Sequence, residues 1–150
     1  MLPRSARCLL TTLLGLATAL PAAAQTNITL DGTIVGAAGP VGPVAPCLWE
    51  LPGNLGARAG LNLFYSFGFF DLASNHTAVF LPDPMDATPL SNVIARVTGG
   101  DASDLDGTLR SQIPGADLYF LNPAGVLFGG ASSIDVPRSL YVGTAHTLEF

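Results

Sequence analysis

Lysine is missing altogether, and only 11% of the 150 residues carry charge. Arginine supplies all six cations, and two of them, Arg4 and Arg7, lie in the first 24 residues. From residue 25 onward four arginines face eleven acidic residues, a net charge of −7. A surface this acidic has no electrostatic footprint for nucleic acid or for an anionic membrane. Cysteine is almost absent. Cys8 falls in the leading segment and Cys47 stands alone after it, so no internal disulfide is expected there. Cys47 reads instead as a buried small hydrophobe beside Leu48 and Trp49. His76 and His146 have no Cys or His partner at metal-ligand spacing. There is no Gly-x-Ser-x-Gly elbow, phosphate loop or dinucleotide fingerprint. No catalytic residue, cofactor or metal is therefore assigned.

The acids that are present do not add up to a site. Asp101, Asp104 and Asp106 form the one cluster, but their spacing is not that of a calcium loop and no Glu closes it. Asx-type turns at a solvent-facing corner account for them. Asp71, Asp83, Asp86 and Asp117 are scattered, and nothing in the sequence brings two of them to the separation a carboxylate pair needs.

Hydrophobic residues make up 49% of the chain, and 17 glycines and 12 prolines punctuate them. That combination points to many short strands joined by corners. Residues 1–24 read as an export signal: a positive start, an apolar centre over residues 9–20 and a small-residue end, with cleavage expected between Ala24 and Gln25. The apolar run is too short to span a bilayer comfortably. The remainder, residues 25–150, is sized for one domain. Residues 26–35 read as an opening strand kinked at Gly32, and residues 36–46 as an irregular loop or partly extended edge. Residues 49–58 read as turn-rich. Residues 61–72 alternate Leu61, Leu63, Tyr65, Phe67 and Phe69 with other largely apolar positions, which predicts a strand covered on both faces. Residues 78–81 and 92–97 follow as strands, separated by a Pro-rich loop.

The rest of the chain is organised around residues 117–130, which read strand, turn, strand. Asn122-Pro123-Ala124-Gly125 separates two apolar runs. Pro123 presets the second turn position, Asn122 can fold back onto the backbone, and Gly125 can take a positive φ. A loose repeat surrounds this stretch. Residues 92–97, 117–122 and 139–144 form one series, with starts 25 and 22 residues apart; residues 105–110, 125–130 and 147–150 form a second, with residues 133–136 as an extra strand between. A period of this size suits the coils of a β-solenoid. Inward positions are expected at Val93, Ala95, Leu105, Leu109, Leu118, Phe120, Val126, Phe128, Ile134, Val136, Leu140 and Val142.

Asn122-Pro123-Ala124-Gly125-Val126-Leu127-Phe128-Gly129 resembles the Asn-Pro-Asn-Gly-Ile-hydrophobic-Phe-Gly signature of the two-partner-secretion domain, which opens filamentous-haemagglutinin-type exoproteins; Ala124 replaces its second Asn. Residues 61–67 are similar to the family's Asn-Leu-Phe-His-Ser-Phe stretch, with Tyr65 in place of His. Residues 92–100 are similar to its Asn-Ile-hydrophobic-x-Arg-Val-Thr-Gly-Gly strand, and Asp106-Gly107 and residues 134–145 to its next segments. The resemblance implies an all-β, right-handed single-stranded parallel β-helix of the pectin-lyase-like kind, capped at its N-terminal end. It implies a secretion-targeting module recognised by the POTRA domains of an outer-membrane β-barrel transporter, with export through the periplasm to the surface of a Gram-negative-type cell. It implies no catalysis and no cofactor; a host or cell-surface receptor would be met by downstream regions. Arg96, Asn122, Pro123 and Gly125 are the positions assigned to recognition, or to fixing coil corners. The family domain normally runs past the point matching Phe150, so a fragment, a shortened product or coils supplied by partner chains is expected. Two other readings stay open: a free-standing surface adhesin or haemagglutinin fragment, and a β-helix polysaccharide lyase or hydrolase.

Overall fold

The computed structural model describes residues 25–34, 36 and 38–149. The export signal read up to Ala24 lies outside these residues, as does Phe150. The described chain is built of strands, with a single 3₁₀ turn at Gly53–Leu55 and no α-helix.

Three parallel ladders wind the chain into a solenoid of about three turns. The first face stacks β5 (Asn62–Asp71), β7 (Asn92–Val97), β10 (Asp117–Leu121) and β13 (Leu140–Gly143) in parallel register. The second pairs β8 (Ser103–Leu105) with β11 (Val126–Phe128), and Leu72 bridges to Leu105 beneath them. The third runs β3 (Leu48–Pro52), β6 (Thr77–Leu81), β9 (Thr108–Ser111) and β12 (Ser133–Asp135). Each coil thus visits all three faces before returning to the first. The N-terminal end is closed by antiparallel pairing: β1 (Asn27–Asp31) and β4 (Ala57–Ala59) both lie on β5, and β2 (Ala38–Pro40) on β1. This is the N-terminal cap.

In-register residues on neighbouring coils share a side, so the interior is a set of stacks. Leu63, Val93, Leu118 and Leu140 make one, and Tyr65, Ala95, Phe120 and Val142 another. The second alternates bulk: Ala95 leaves room between two rings, which lets Tyr65, Phe67, Phe70, Phe80 and Phe120 share one aromatic centre with neighbouring centroids 5.0–6.3 Å apart. The Tyr65 hydroxyl donates to the Leu51 carbonyl at 3.0 Å, so the buried phenol is satisfied.

Several sequence expectations need correction. The alternation proposed for residues 61–72 breaks at Gly68, where the pairing of β1 with β5 skips from Phe69 to Phe67. This bulge turns Phe70 inward, leaving it 1% exposed, and Phe69 outward. Residues 49–58 are not merely turns, for β3 carries buried Trp49 and Leu51. The stretch 105–110 is two strands on different faces, divided at Asp106-Gly107. The supposed extra strand, β12, is the regular partner of β9, and residues 147–149 form no strand. Among the expected inward positions, Phe128, Ile134 and Val142 are 46%, 41% and 41% exposed because they face inward on the last coil, with none stacked beyond them among the described residues. Cys47 is half-buried at φ 61° and disulfide-bonded, not a lone buried thiol.

Candidate functional site

The corner after β10 is held by Asn122. Its backbone carbonyl accepts from the Gly125 amide at 2.9 Å, closing the turn, and its side-chain Oδ1 accepts from the Ala124 amide at 2.9 Å. Gly125 sits at φ 116°, a conformation glycine takes without a Cβ penalty. The side-chain Nδ2 reaches back one coil and donates to the Asp101 carbonyl at 2.9 Å and to Ser103 Oγ at 3.0 Å. The Asn122 backbone amide donates forward to the Gly143 carbonyl at 3.0 Å. One residue therefore ties three successive coils, and it is 1% exposed. No buried side-chain polar atom among the described residues lacks a partner.

Arg96 lies beside this corner. On β7 the side chains of Val93, Ala95 and Val97 are buried in the core, so Arg96 projects from the outer surface, in register with Ser66 on β5 and Leu121 on β10. A hollow of about 340 Å³ lies between Arg96, Thr98, Asn122, Pro123, Ala124 and His146. Three of the four residues singled out in the sequence, Arg96, Asn122 and Pro123, thus border one hollow. Gly125 does not line it and stands within the turn behind it. His146, which sequence reasoning left as a lone histidine, also borders it; the fold alone makes it a neighbour, because residues 144–149 follow β13 back across the outer surface.

The acids nearby serve the framework. Asp31, at the end of β1, accepts from Ser66 Oγ at 2.6 Å, Thr98 Oγ1 at 2.7 Å and both the amide and hydroxyl of Thr33. Burial pushes its carboxyl up, but these donors outweigh burial and hold it well below the usual carboxylate range. Asp71 goes the other way: burial, with Asp104 and Asp101 close by, raises its carboxyl despite the Asp104 amide it accepts. Asp106 does not cap its own turn but accepts the Ala131 amide of the next coil at 2.9 Å. His76 stacks on Trp49 with centroids 4.8 Å apart and shares a 2.6 Å hydrogen bond with Thr26; burial lowers its basicity. Among the described residues no group of three His, Cys, Asp or Glu could hold a metal ion.

A parallel solenoid with an antiparallel cap, its coils tied at an Asn-Pro-x-Gly corner, defines a class of β-helical modules. Residues 54–150 match the family model described as TPS secretion domain, and the chain belongs to that family, a family of non-catalytic secretion modules. Comparison with curated proteins and with solved structures gives no match.

Proposed function

We propose that this chain is the targeting module of a larger exoprotein, taken up in the periplasm by the POTRA domains of an outer-membrane β-barrel transporter. It passes the pore unfolded and coils on the far side, at the surface of a Gram-negative-type cell or released from it. Any adhesive or receptor-binding activity belongs to regions downstream. The observation that carries this reading is the match to the TPS secretion domain over residues 54–150.

The corner geometry supports a particular order of events. Once folded, Asn122 has spent both side-chain donors and its side-chain carbonyl on the coil itself. Recognition through Asn122 therefore belongs to the chain before it folds, when an extended segment can add to a sheet edge of a POTRA domain. Arg96 remains exposed, and Pro123 borders the surface hollow, after folding.

Asn122→Ala tests both roles. Secretion is expected to fall severalfold, and affinity of the unfolded chain for the POTRA domains to fall about tenfold, as for loss of one well-made hydrogen-bonding group. Loss of secretion with unchanged affinity would assign Asn122 to coil folding alone, and normal values of both would remove the motif from recognition.

A further inference from the structure

Among the described residues Arg96 is the arginine left without an ion pair. Arg58 meets Asp86 at 3.4 Å, Arg110 meets Asp135 at 2.8 Å and Arg138 meets Asp117 at 3.4 Å. Arg96 has no such partner and donates no side-chain hydrogen bond. In a chain with eleven acids this is not a shortage of carboxylates. Asp31, which accepts from the Arg96 neighbours Ser66 and Thr98, is filled by hydroxyl and amide donors.

Arg96 also stands where two hollows adjoin. The one at the Asn122 corner carries several polar groups, two of them already committed: Thr98 Oγ1 donates to Asp31, and the Asn122 amide is used on both atoms. The guanidinium's five N–H groups are unspent donors there, beside the His146 ring. The second hollow, also about 340 Å³, is apolar and is walled by Phe64, Ile94, Leu121 and Leu148. Ile94 and Leu121 are each only 4% exposed. Ile94 alternates with the inward Val93 and Ala95, so it lies on the outer side of the solenoid. The chain's own residues 146–148 form one wall of this hollow, which leaves room beside Leu148 for a bulky apolar side chain.

We propose that the outer face of β5, β7 and β10 is a docking groove for an extended peptide segment that carries a carboxylate beside a bulky apolar side chain. The carboxylate takes the planar fork of Arg96, a geometry that favours two parallel hydrogen bonds. The apolar side chain enters the open hollow between Phe64 and Leu148. The groove is a property of the folded face; it shares Arg96 with the transporter reading but does not depend on it.

The test titrates the isotope-labelled full chain with two capped peptides, Ala-Leu-Glu-Leu-Ala and its Gln counterpart, followed by NMR. The Glu peptide is expected to shift the Arg96 side-chain N–H and the amides of Ile94 and Leu121, and to bind about tenfold more tightly than the Gln peptide, as for a charge-assisted pair. Arg96→Gln should erase that preference. Arg96→Glu, at an exposed position where folding is not at stake, should reverse it toward a peptide carrying Lys. Equal affinity for the Glu and Gln peptides, no shift at millimolar peptide, or shifts confined to another face would overturn the groove. Secretion of the same Arg96 variants is scored separately. An intact peptide preference with no transporter binding by the wild-type chain sinks the secretion reading and leaves the groove; equal peptide affinities with normal secretion sink the groove alone.

Discussion

At the scale of single residues, the polar side chains of this protein work mainly as ties between coils. Asp31 is the clearest case. It joins the cap strand β1 to β5 through Ser66 and to the end of β7 through Thr98, across 35 and 67 residues of sequence. Because its folded carboxyl is held below the ordinary range, its contribution is fully present above the unfolded value and fades only as pH falls toward the lowered folded value. Asp31→Asn is therefore expected to destabilise by about 1–3 kcal/mol at neutral pH, the range for hydrogen bonds to a charged group. That difference should hold above the usual carboxylate range, begin to shrink as pH falls through it and continue to fade in stronger acid. Urea unfolding of both proteins over a pH series measures it; a difference that vanishes near the ordinary carboxylate pKa would show that the clasp does not hold the charge.

At the scale of elements, strand positions were legible where a face repeats and illegible where it changes. Residues 92–97 and 117–121 read correctly because inward Val93, Ala95, Leu118 and Phe120 alternate without interruption and corner residues bound them. The Asn122 turn was legible from its own chemistry, but its reach to Asp101 and Ser103 was not, since coil-to-coil bonds leave no local signal. Likewise Arg96 could be singled out from the motif, whereas the fact that it shares a hollow with His146 needs the fold. The failure at residues 105–110 has a physical origin. Strict alternation carries through a corner when the corner residue is small, and Gly107 lets Leu105 and Leu109 both face inward on different sheets. A Cβ on Gly107 would lie 2.4 Å from the His76 carbonyl oxygen and 2.5 Å from that of Ala73, both backbone atoms of the preceding coil. Gly107→Ala is therefore expected to cost about 1–3 kcal/mol, as overpacking does. A denaturation midpoint equal to wild type would mean that the coils are not pressed together at this corner.

At the scale of the whole molecule, the two ends of the solenoid differ in kind. At the cap end antiparallel β1 and β4 cover the first-face ladder at β5, with β2 on β1, and the rings of Tyr65, Phe67 and Phe70 are buried. At the other end β11, β12 and β13 each terminate their ladder among the described residues, so three open backbone edges surround Phe128, Ile134 and Val142. Their in-register neighbours one coil earlier, Leu105, Leu109 and Phe120, are 1%, 0% and 0% exposed. The chemistry that buries one coil against the next is thus presented intact, with apolar side chains and unpaired strand edges on the same surface. Such a surface pairs with whatever strand it meets unless charge interrupts it. A protein of these 150 residues is expected to self-associate at micromolar concentration. Ile134→Lys combined with Val142→Lys should return it to a monomer with its cap and first two coils unchanged, because both residues lie on the outermost coil and a buried lysine on a docked surface is unfavourable by several kcal/mol. Sedimentation velocity of the two proteins decides the matter. Equal association by both would place the contact elsewhere, and a monomeric wild-type chain would mean that this coil end is covered by other means.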